Sequence, residues 1–184
     1  QTGYMKHQKP ATFPVHQPRL LALDVDGVLT DNCVSIHSDN TESKAFFIPD
    51  GAGMRLLLEA GIAVVWISGR PSASTDLRAK ELQITQLHTG IRDKAACLLS
   101  ILEELSLTPE DVVYVGDDLI DLPAFEVAGY TVAPSDAQPE ILEKATAVTH
   151  AAGGKGAVRE VCDWILSTSQ KPLNSADTDS GGLS

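Results

Sequence analysis

Short apolar runs alternate with longer amphipathic segments along most of this 184-residue chain. The apolar runs are LLALDV, IAVVWIS, ITQLH, DVVYVG, YTVA and TAVTH, and the amphipathic segments are GMRLLLEA, STDLRAKEL, KAACLLSILEEL, LIDLPAFEVA, PEILEKA and GAVREVCDWIL. Parallel strands need a crossover connection, and strands that alternate with helices of this length are typical of βαβ units. The pattern therefore predicts an α/β fold built on a doubly wound, Rossmann-like, mostly parallel sheet.

Residues 31–50, DNCVSIHSDNTESKAFFIPD, interrupt this alternation. Two β-like halves flank Ser38, Asp39 and Asn40, which are residue types that favour turns. We therefore expect a β-hairpin inserted directly after the first strand.

The length suits one domain, which we place at residues 19–168. Residues 1–18 and 169–184 lack apolar periodicity and are predicted to be flexible termini. The chain contains no apolar run of the roughly 18 residues that a membrane span needs. The first residues also lack the apolar core of a signal peptide, so we expect a cytoplasmic protein that does not bind membranes.

The net charge of −11 argues against nucleic acid or an anionic membrane as a partner. A small anionic substrate would instead require a locally basic site or a bound metal. Cys33, Cys97 and Cys162 are odd in number and widely spaced, which fits small packed thiols better than a disulfide framework or a zinc site.

Polar side chains follow several predicted strands at the point where each strand ends. They are Asp24 and Asp26 after the first strand, Ser68, Gly69 and Arg70 after IAVVWI, Lys94 after ITQLH, and Asp117, Asp118 and Asp121 after DVVYVG. Ligands of open parallel sheets bind beyond the carboxyl ends of the strands. Each aspartate alone would be explained as a turn or cap residue, but carboxylates with a hydroxyl and an ammonium suit Mg²⁺ and a phosphoryl group.

The order D-x-D-G-V-L-T-D, S-G-R, Lys and G-D-D-x-x-D resembles the four signature motifs of the haloacid dehalogenase superfamily of phosphotransferases. The resemblance implies that Asp24 is a nucleophile that forms an aspartyl-phosphate. It also implies that Asp26 protonates the leaving alkoxide and then deprotonates the attacking water.

The same resemblance implies a Mg²⁺ ion held by the Asp24 carboxylate, the Asp26 main-chain carbonyl and the Asp117 carboxylate, with Asp118 bonded behind these ligands or through water. Ser68 is then expected to donate to a phosphoryl oxygen, and Lys94 to offset negative charge. The interval from Arg70 to Lys94 holds only one helix and one weak strand, so we expect no cap domain.

Three further segments are similar to those of the 3-deoxy-D-manno-octulosonate 8-phosphate phosphatases, an uncapped, tetrameric family of lipopolysaccharide biosynthesis. They are Lys44-Ala-Phe46, Asp50-Gly51-Ala-Gly53 and the run GGKGAVRE at residues 153–160. The resemblance implies a phosphorylated sugar acid as substrate and a homotetramer in which neighbouring subunits complete each site. Candidate contacts to the substrate's carboxylate and phosphate are Gly69, Arg70, Arg78, Lys155 and Arg159.

Two positions depart from the family pattern. Pro49 stands where an arginine is expected, and Asn32 stands where a glycine is expected. These departures leave a related acidic sugar phosphate, such as a sialic-type 9-phosphate, open as the substrate.

Two functions of another class share such a fold: a receiver-type phospho-aspartate module and a non-catalytic sugar-phosphate-binding subunit. A receiver has its acid pair first and its lysine last, whereas here Lys94 precedes Asp117 and Asp118. The motif order therefore favours a hydrolase.

Overall fold

The computed structural model describes residues 8–168. Its strands are Leu20–Leu23 (β1), Ser35–Ile36 (β2), Glu42–Ser43 (β3), Ala63–Ile67 (β4), Gln86–His88 (β5), Val112–Val115 (β6), Tyr130–Ala133 (β7) and Ala147–Val148 (β8). Its α-helices are Ile48–Glu59 (α1), Ala73–Glu81 (α2), Lys94–Glu104 (α3), Leu122–Val127 (α4), Pro139–Lys144 (α5) and Ala157–Leu166 (α6). Short 3₁₀ turns at Pro109–Asp111 and Leu119–Asp121 precede β6 and α4.

Six strands form one sheet in the order β5-β4-β1-β6-β7-β8, and every neighbouring pair is parallel. The chain builds outward from β1 through β4 to β5 and then crosses to β6, so the order reverses between β1 and β6. A crevice beyond the carboxyl ends of the strands is expected at such a reversal. The predicted doubly wound α/β fold is confirmed.

Helices cover both faces of the sheet. Leu21 and Leu23 of β1 belong to the core layer beneath α1, α2 and α6, whereas Leu20 and Ala22 belong to the layer beneath α3, α4 and α5. Successive side chains of a strand point to opposite faces, so a strand covered on both sides is apolar throughout. This explains why all four residues of β1 are buried.

The predicted hairpin is present, but it is shorter than expected. β2 pairs with β3 in antiparallel register through Ser35 with Ser43 and Ile36 with Glu42. The second β-like half was expected to reach residue 50, but helix α1 already begins at Ile48. Proline at the first turn of a helix costs no hydrogen bond, so Pro49 favours a helix start at this point.

The N-terminal segment is partly packed onto the domain. Phe13, predicted to lie in a flexible segment ending at residue 18, is buried with its ring edge-on to Tyr130 and Trp164 at centroid distances of 5.0 and 5.9 Å. Residues 1–7 and the predicted flexible tail at 169–184 lie outside the described residues. Within residues 8–168, no helix combines the length and the apolar character needed to cross a bilayer.

Candidate active site

A cleft of about 240 Å³ opens at the carboxyl ends of β1, β4 and β6. Eight residues predicted from the sequence line it together: Asp24, Asp26, Ser68, Gly69, Arg70, Lys94, Asp117 and Asp118. Asn32 and Ile120 complete the lining. Residues from four separate motifs therefore meet in one place, because the parallel strands all end at the same edge of the sheet.

Lys94 is buried at the start of α3 and contacts two carboxylates. Its Nζ lies 2.9 Å from Asp24 Oδ1 and 2.7 Å from Asp121 Oδ1. Burial lowers the pKa of Lys94, but the adjacent charges of Asp24 and Asp121 outweigh this effect and raise the pKa above its ordinary value. The ammonium therefore stays charged and fixes the Asp24 carboxylate, which also accepts the Val25 N–H at 2.8 Å.

Asp121 has no role among the predictions made from the sequence, yet it connects most of the site. Its Oδ1 accepts from Lys94 and from the Tyr114 hydroxyl at 2.7 Å, and its Oδ2 accepts from the N–H groups of Asp117 and Asp118 at 3.0 and 3.2 Å. The available signal was the third acid of G-D-D-x-x-D, which lies one turn beyond the pair. Because both oxygens are engaged, Asp121 positions its neighbours.

Asp117 lies next to Asp24 with one oxygen unsatisfied. One carboxylate oxygen from each of Asp24, Asp117 and Asp121 lies within 4.8 Å of the other two, and Asp117 Oδ1 is buried without a hydrogen-bond partner among the described residues. Burial, followed by the charges of Asp24 and Asp121, raises the pKa of Asp117 to about 8. Burial and the charge of Asp121 also raise the pKa of Asp24 to about 6.

These features fit a hard divalent cation, which prefers carboxylate oxygens and would relieve the repulsion between the crowded acids. Asp24 and Asp117 are the residues that could hold such an ion, since the Asp121 oxygens are already bonded. Gly27 allows the Asp117 carboxylate to lie close to the loop after β1. The φ of Gly27 is +86°, which favours glycine, and a Cβ there would lie 1.9 Å from Asp117 Oδ2.

Ser68 and Arg70 form the wall of the cleft that follows β4. The buried Ser68 hydroxyl donates to the Arg70 carbonyl at 3.1 Å and accepts the Arg70 N–H at 3.2 Å, which fixes the turn. The Arg70 guanidinium is half exposed and pairs with Glu42 of β3 at 2.5 Å. The inserted hairpin therefore contacts the cleft directly.

Three predicted substrate contacts do not line this cleft. Arg78 packs against Gly51 and pairs with Glu81 at 2.8 Å. Arg159 pairs with Asp163 at 3.0 Å, and Lys155 is exposed just before α6. Within a single chain, therefore, only Gly69 and Arg70 of the predicted substrate contacts reach the cleft.

The glycine-rich segment before α6 supports the loop that follows β1. Gly154 donates its N–H to the Val28 carbonyl at 3.1 Å. A Cβ on Gly153 would lie 1.8 Å from the Gly27 carbonyl oxygen, so only glycine permits this contact. Two segments more than a hundred residues apart are thus in contact beside the carboxyl end of β1, which the spacing of residues in the sequence did not reveal.

A family model described as haloacid dehalogenase-like hydrolase matches residues 83–161. The 3-deoxy-D-manno-octulosonate 8-phosphate phosphatase KdsC of Salmonella typhi is 47% identical over 148 residues, which cover 80% of this chain and 79% of that protein.

Solved structures agree with this relationship. The crystal structure of 3-deoxy-D-manno-octulosonate 8-phosphate phosphatase from Yersinia pestis matches with a TM-score of 0.80 and 46% identity, covering 81% of this chain and 80% of that one. The Moraxella catarrhalis enzyme in complex with a magnesium ion, a phosphate ion and KDO matches with a TM-score of 0.79 and 40% identity, covering 81% and 86%. With its motifs gathered in one cleft and relatives of this similarity, the chain is a phosphatase of the haloacid dehalogenase-like hydrolases and belongs to the family of the 3-deoxy-D-manno-octulosonate 8-phosphate phosphatases.

Proposed function

We propose that this phosphatase hydrolyses 3-deoxy-D-manno-octulosonate 8-phosphate to the free sugar acid and phosphate, in lipopolysaccharide biosynthesis. The observation that carries the proposal is the cleft in which the buried Asp24 lies between Lys94 and Asp117, in a chain 47% identical to KdsC of Salmonella typhi.

In the first step of the proposed reaction, an Asp24 carboxylate oxygen attacks phosphorus and the bond from phosphorus to the sugar oxygen breaks. Asp26 gives its proton to the departing oxygen, so the sugar leaves as an alcohol. In the second step Asp26 takes a proton from water, the water oxygen attacks phosphorus and the bond to Asp24 breaks. Lys94 stays charged throughout and stabilises the negative charge around the transferring phosphoryl group.

Mg²⁺ is the metal that we propose for the cleft. Asp24 and Asp117 would hold it together with the Asp26 main-chain carbonyl, and Asp118 would support the ligands from behind. When bound, the ion would neutralise phosphoryl charge that the acidic cleft otherwise repels. Support comes from the unsatisfied Asp117 Oδ1 and from the magnesium ion in the Moraxella catarrhalis complex.

Substrate recognition is proposed to involve more than one subunit. Gly69 and Arg70 reach the cleft of their own chain. Arg78, Lys155 and Arg159 would contact a substrate only in the cleft of a neighbouring subunit. The inserted hairpin exposes Ile36 at 72%, and Ile48 just beyond it is 76% exposed. Apolar side chains that are this exposed favour burial between subunits, so we propose a homotetramer.

A cytoplasmic location is also part of the proposal. Cys33, Cys97 and Cys162 are all free thiols, which is the usual state of cysteines in a reducing compartment.

The decisive experiment is phosphate release with and without Mg²⁺ from a panel of sugar phosphates. It should include 3-deoxy-D-manno-octulosonate 8-phosphate, N-acetylneuraminate 9-phosphate and simple sugar phosphates. We expect Mg²⁺-dependent release with a strong preference for the first. Preference for the 9-phosphate would change the substrate and keep the chemistry, whereas no release from any member would overturn the proposal.

A further inference from the structure

Lys44 carries a fully buried side chain beside the proposed proton-transfer residue. It follows β3 at the exit of the hairpin, and its side chain is 0% exposed. Its Nζ lies 2.7 Å from Asp26 Oδ1, although the two atoms are not in hydrogen-bond alignment. Neither atom has a hydrogen-bond partner elsewhere in residues 8–168. Lysine is almost never fully buried unless it is paired, so this contact accounts for the position of the ammonium.

The pair orients the Asp26 carboxyl group. Asp26 Oδ1 is buried against Lys44, yet 24% of the Asp26 side chain remains exposed and lines the cleft. The exposure therefore falls on the atoms other than Oδ1. One carboxyl oxygen is held from behind, and the other is left to face a substrate.

Each of the two proposed reacting carboxylates thus contacts a different buried ammonium. Lys94 contacts Asp24, and Lys44 contacts Asp26. The two lysines come from separate elements, since Lys94 begins α3 whereas Lys44 leaves the hairpin.

We propose that Lys44 is a positioning residue for Asp26, an inference that rests on the proposed function. Its charge holds the Asp26 carboxyl group so that the oxygen facing the cleft meets the ester oxygen that leaves phosphorus. As the phosphorus–oxygen bond breaks, the proton passes from Asp26 to that oxygen, and the protons of Lys44 do not move. The hairpin thereby contributes to catalysis within its own chain.

A purely structural role would make Lys44 an anchor for the hairpin. The two roles differ in their dependence on the leaving group. A sugar alkoxide needs a proton as it departs, whereas p-nitrophenolate is a stable anion and leaves without one. A misplaced Asp26 therefore slows hydrolysis of the sugar ester selectively, while a loosened hairpin slows both esters alike.

The test is Lys44→Met, which removes the charge and keeps a long apolar chain. We would measure kcat/KM with Mg²⁺ for 3-deoxy-D-manno-octulosonate 8-phosphate and for p-nitrophenyl phosphate. General acid catalysis contributes roughly 10²- to 10⁴-fold, so we expect the loss on the sugar ester to exceed the loss on the aryl ester at least tenfold. Equal losses on the two esters, or no loss on either, would overturn the inference.

Two further variants separate positioning from folding. Asp39→Asn weakens the hairpin turn, because Asp39 accepts from the Thr41 N–H at 3.0 Å and from the Thr41 hydroxyl at 2.6 Å, and it should leave the ratio of the two esters unchanged. In an Asp26→Asn background, Lys44→Met should cause no further loss on the sugar ester, since the residue it acts through is already disabled.

If Lys44→Met does not fold, the same ratio measured for Lys44→Gln decides the matter. A wild-type protein that hydrolyses neither ester would overturn the proposed function and this inference with it. A wild-type protein that is active, with an unchanged ratio in the Lys44 variants, would overturn this inference alone.

Discussion

At the scale of single residues, the cleft depends on a few positions that tolerate little change. Asp121 engages Lys94 and Tyr114 as well as two main-chain N–H groups, so it fixes the acids around it. The departure at Asn32 also has a physical explanation. Its φ is 67°, in the left-handed region that asparagine adopts more readily than most residues, so it can replace a glycine there.

Asp24→Asn tests the proposed nucleophile. The amide cannot attack phosphorus, so we expect turnover to fall by roughly 10³-fold or more. The fold should survive, because the change removes one charge from a buried cluster of like charges and leaves Lys94 paired with Asp121. Phosphate release, far-UV circular dichroism and acid-stable labelling from radioactive substrate would check this. Near-normal phosphate release by the variant would exclude Asp24 as nucleophile.

Gly27→Ala tests the approach of Asp117 to the β1 loop. A Cβ would lie 1.9 Å from Asp117 Oδ2, so either the loop or the proposed metal ligand must move. We expect kcat/KM with Mg²⁺ to fall by about two orders of magnitude, since small misplacements of reacting groups have effects of that size.

Gly61→Ala is the matched control for this substitution. Gly61 also has a positive φ, +77°, but a Cβ at this position would have no atom of the described residues within 4 Å. The variant should lose about 1 kcal/mol of stability and retain activity. Similar activities for the two alanine variants would contradict the role assigned to Gly27.

At the scale of elements, helices α1 and α6 are joined by a buried acid. Asp50 in the first turn of α1 accepts the Arg159 N–H near the start of α6 at 2.9 Å, while its Oδ2 has no hydrogen-bond partner within the described range. Burial raises the pKa of Asp50 to about 6, an effect that Arg159 only partly offsets. The contact therefore positions two helices at the cost of a buried charge.

This arrangement predicts a pH dependence of stability. Between the unfolded pKa of 3.8 and the folded value of about 6, the folded state keeps the Asp50 proton that the unfolded state has lost. The contribution of Asp50 to the free energy of unfolding therefore falls as the pH rises through that window, by about 3 kcal/mol in all. Above the window this contribution is constant.

Asp50→Asn cannot ionise and can still accept the Arg159 N–H. As the pH rises from 4.5 to 7.5, the free energy of unfolding of the variant should therefore increase by about 2 kcal/mol relative to that of the wild type. Urea unfolding at several pH values would measure the difference. Parallel curves for the two proteins would show that Asp50 ionises normally in the folded state.

At the scale of the whole molecule, the cleft of one chain is open, and most of the predicted basic substrate contacts lie away from it. A phosphoryl-transfer site benefits from the exclusion of water, and neighbouring subunits can supply that cover when a cap is lacking.

We therefore expect light scattering to give a tetramer at micromolar concentration. Ile36→Asp should weaken the assembly and raise KM, because it places a charge on the apolar hairpin surface. Leu99→Asp is the control, because Leu99 is 52% exposed and lies on helix α3, far from the hairpin in the sequence. This variant should change neither the assembly nor KM. A stable monomer with full activity would argue against shared sites.

Sequence patterns alone were enough to predict the alternation of strands and helices and the strand end at which each candidate site residue lies. These are local properties, because apolar periodicity follows from backbone geometry and a residue after a strand must lie at its carboxyl end. Asp24, Ser68, Lys94 and Asp117 could therefore be predicted to meet before any contact was known.

The tertiary structure alone decided which of these groups bond to one another. The contacts of Lys44 with Asp26 and of Gly153 with Gly27, like the burial of Phe13, join positions that no local spacing relates. The tertiary structure also places Arg78 and Arg159 away from the cleft that Arg70 lines. The reason is that such contacts depend on how whole helices and loops pack over the sheet, where burial and charge pairing are satisfied jointly by distant parts of the chain.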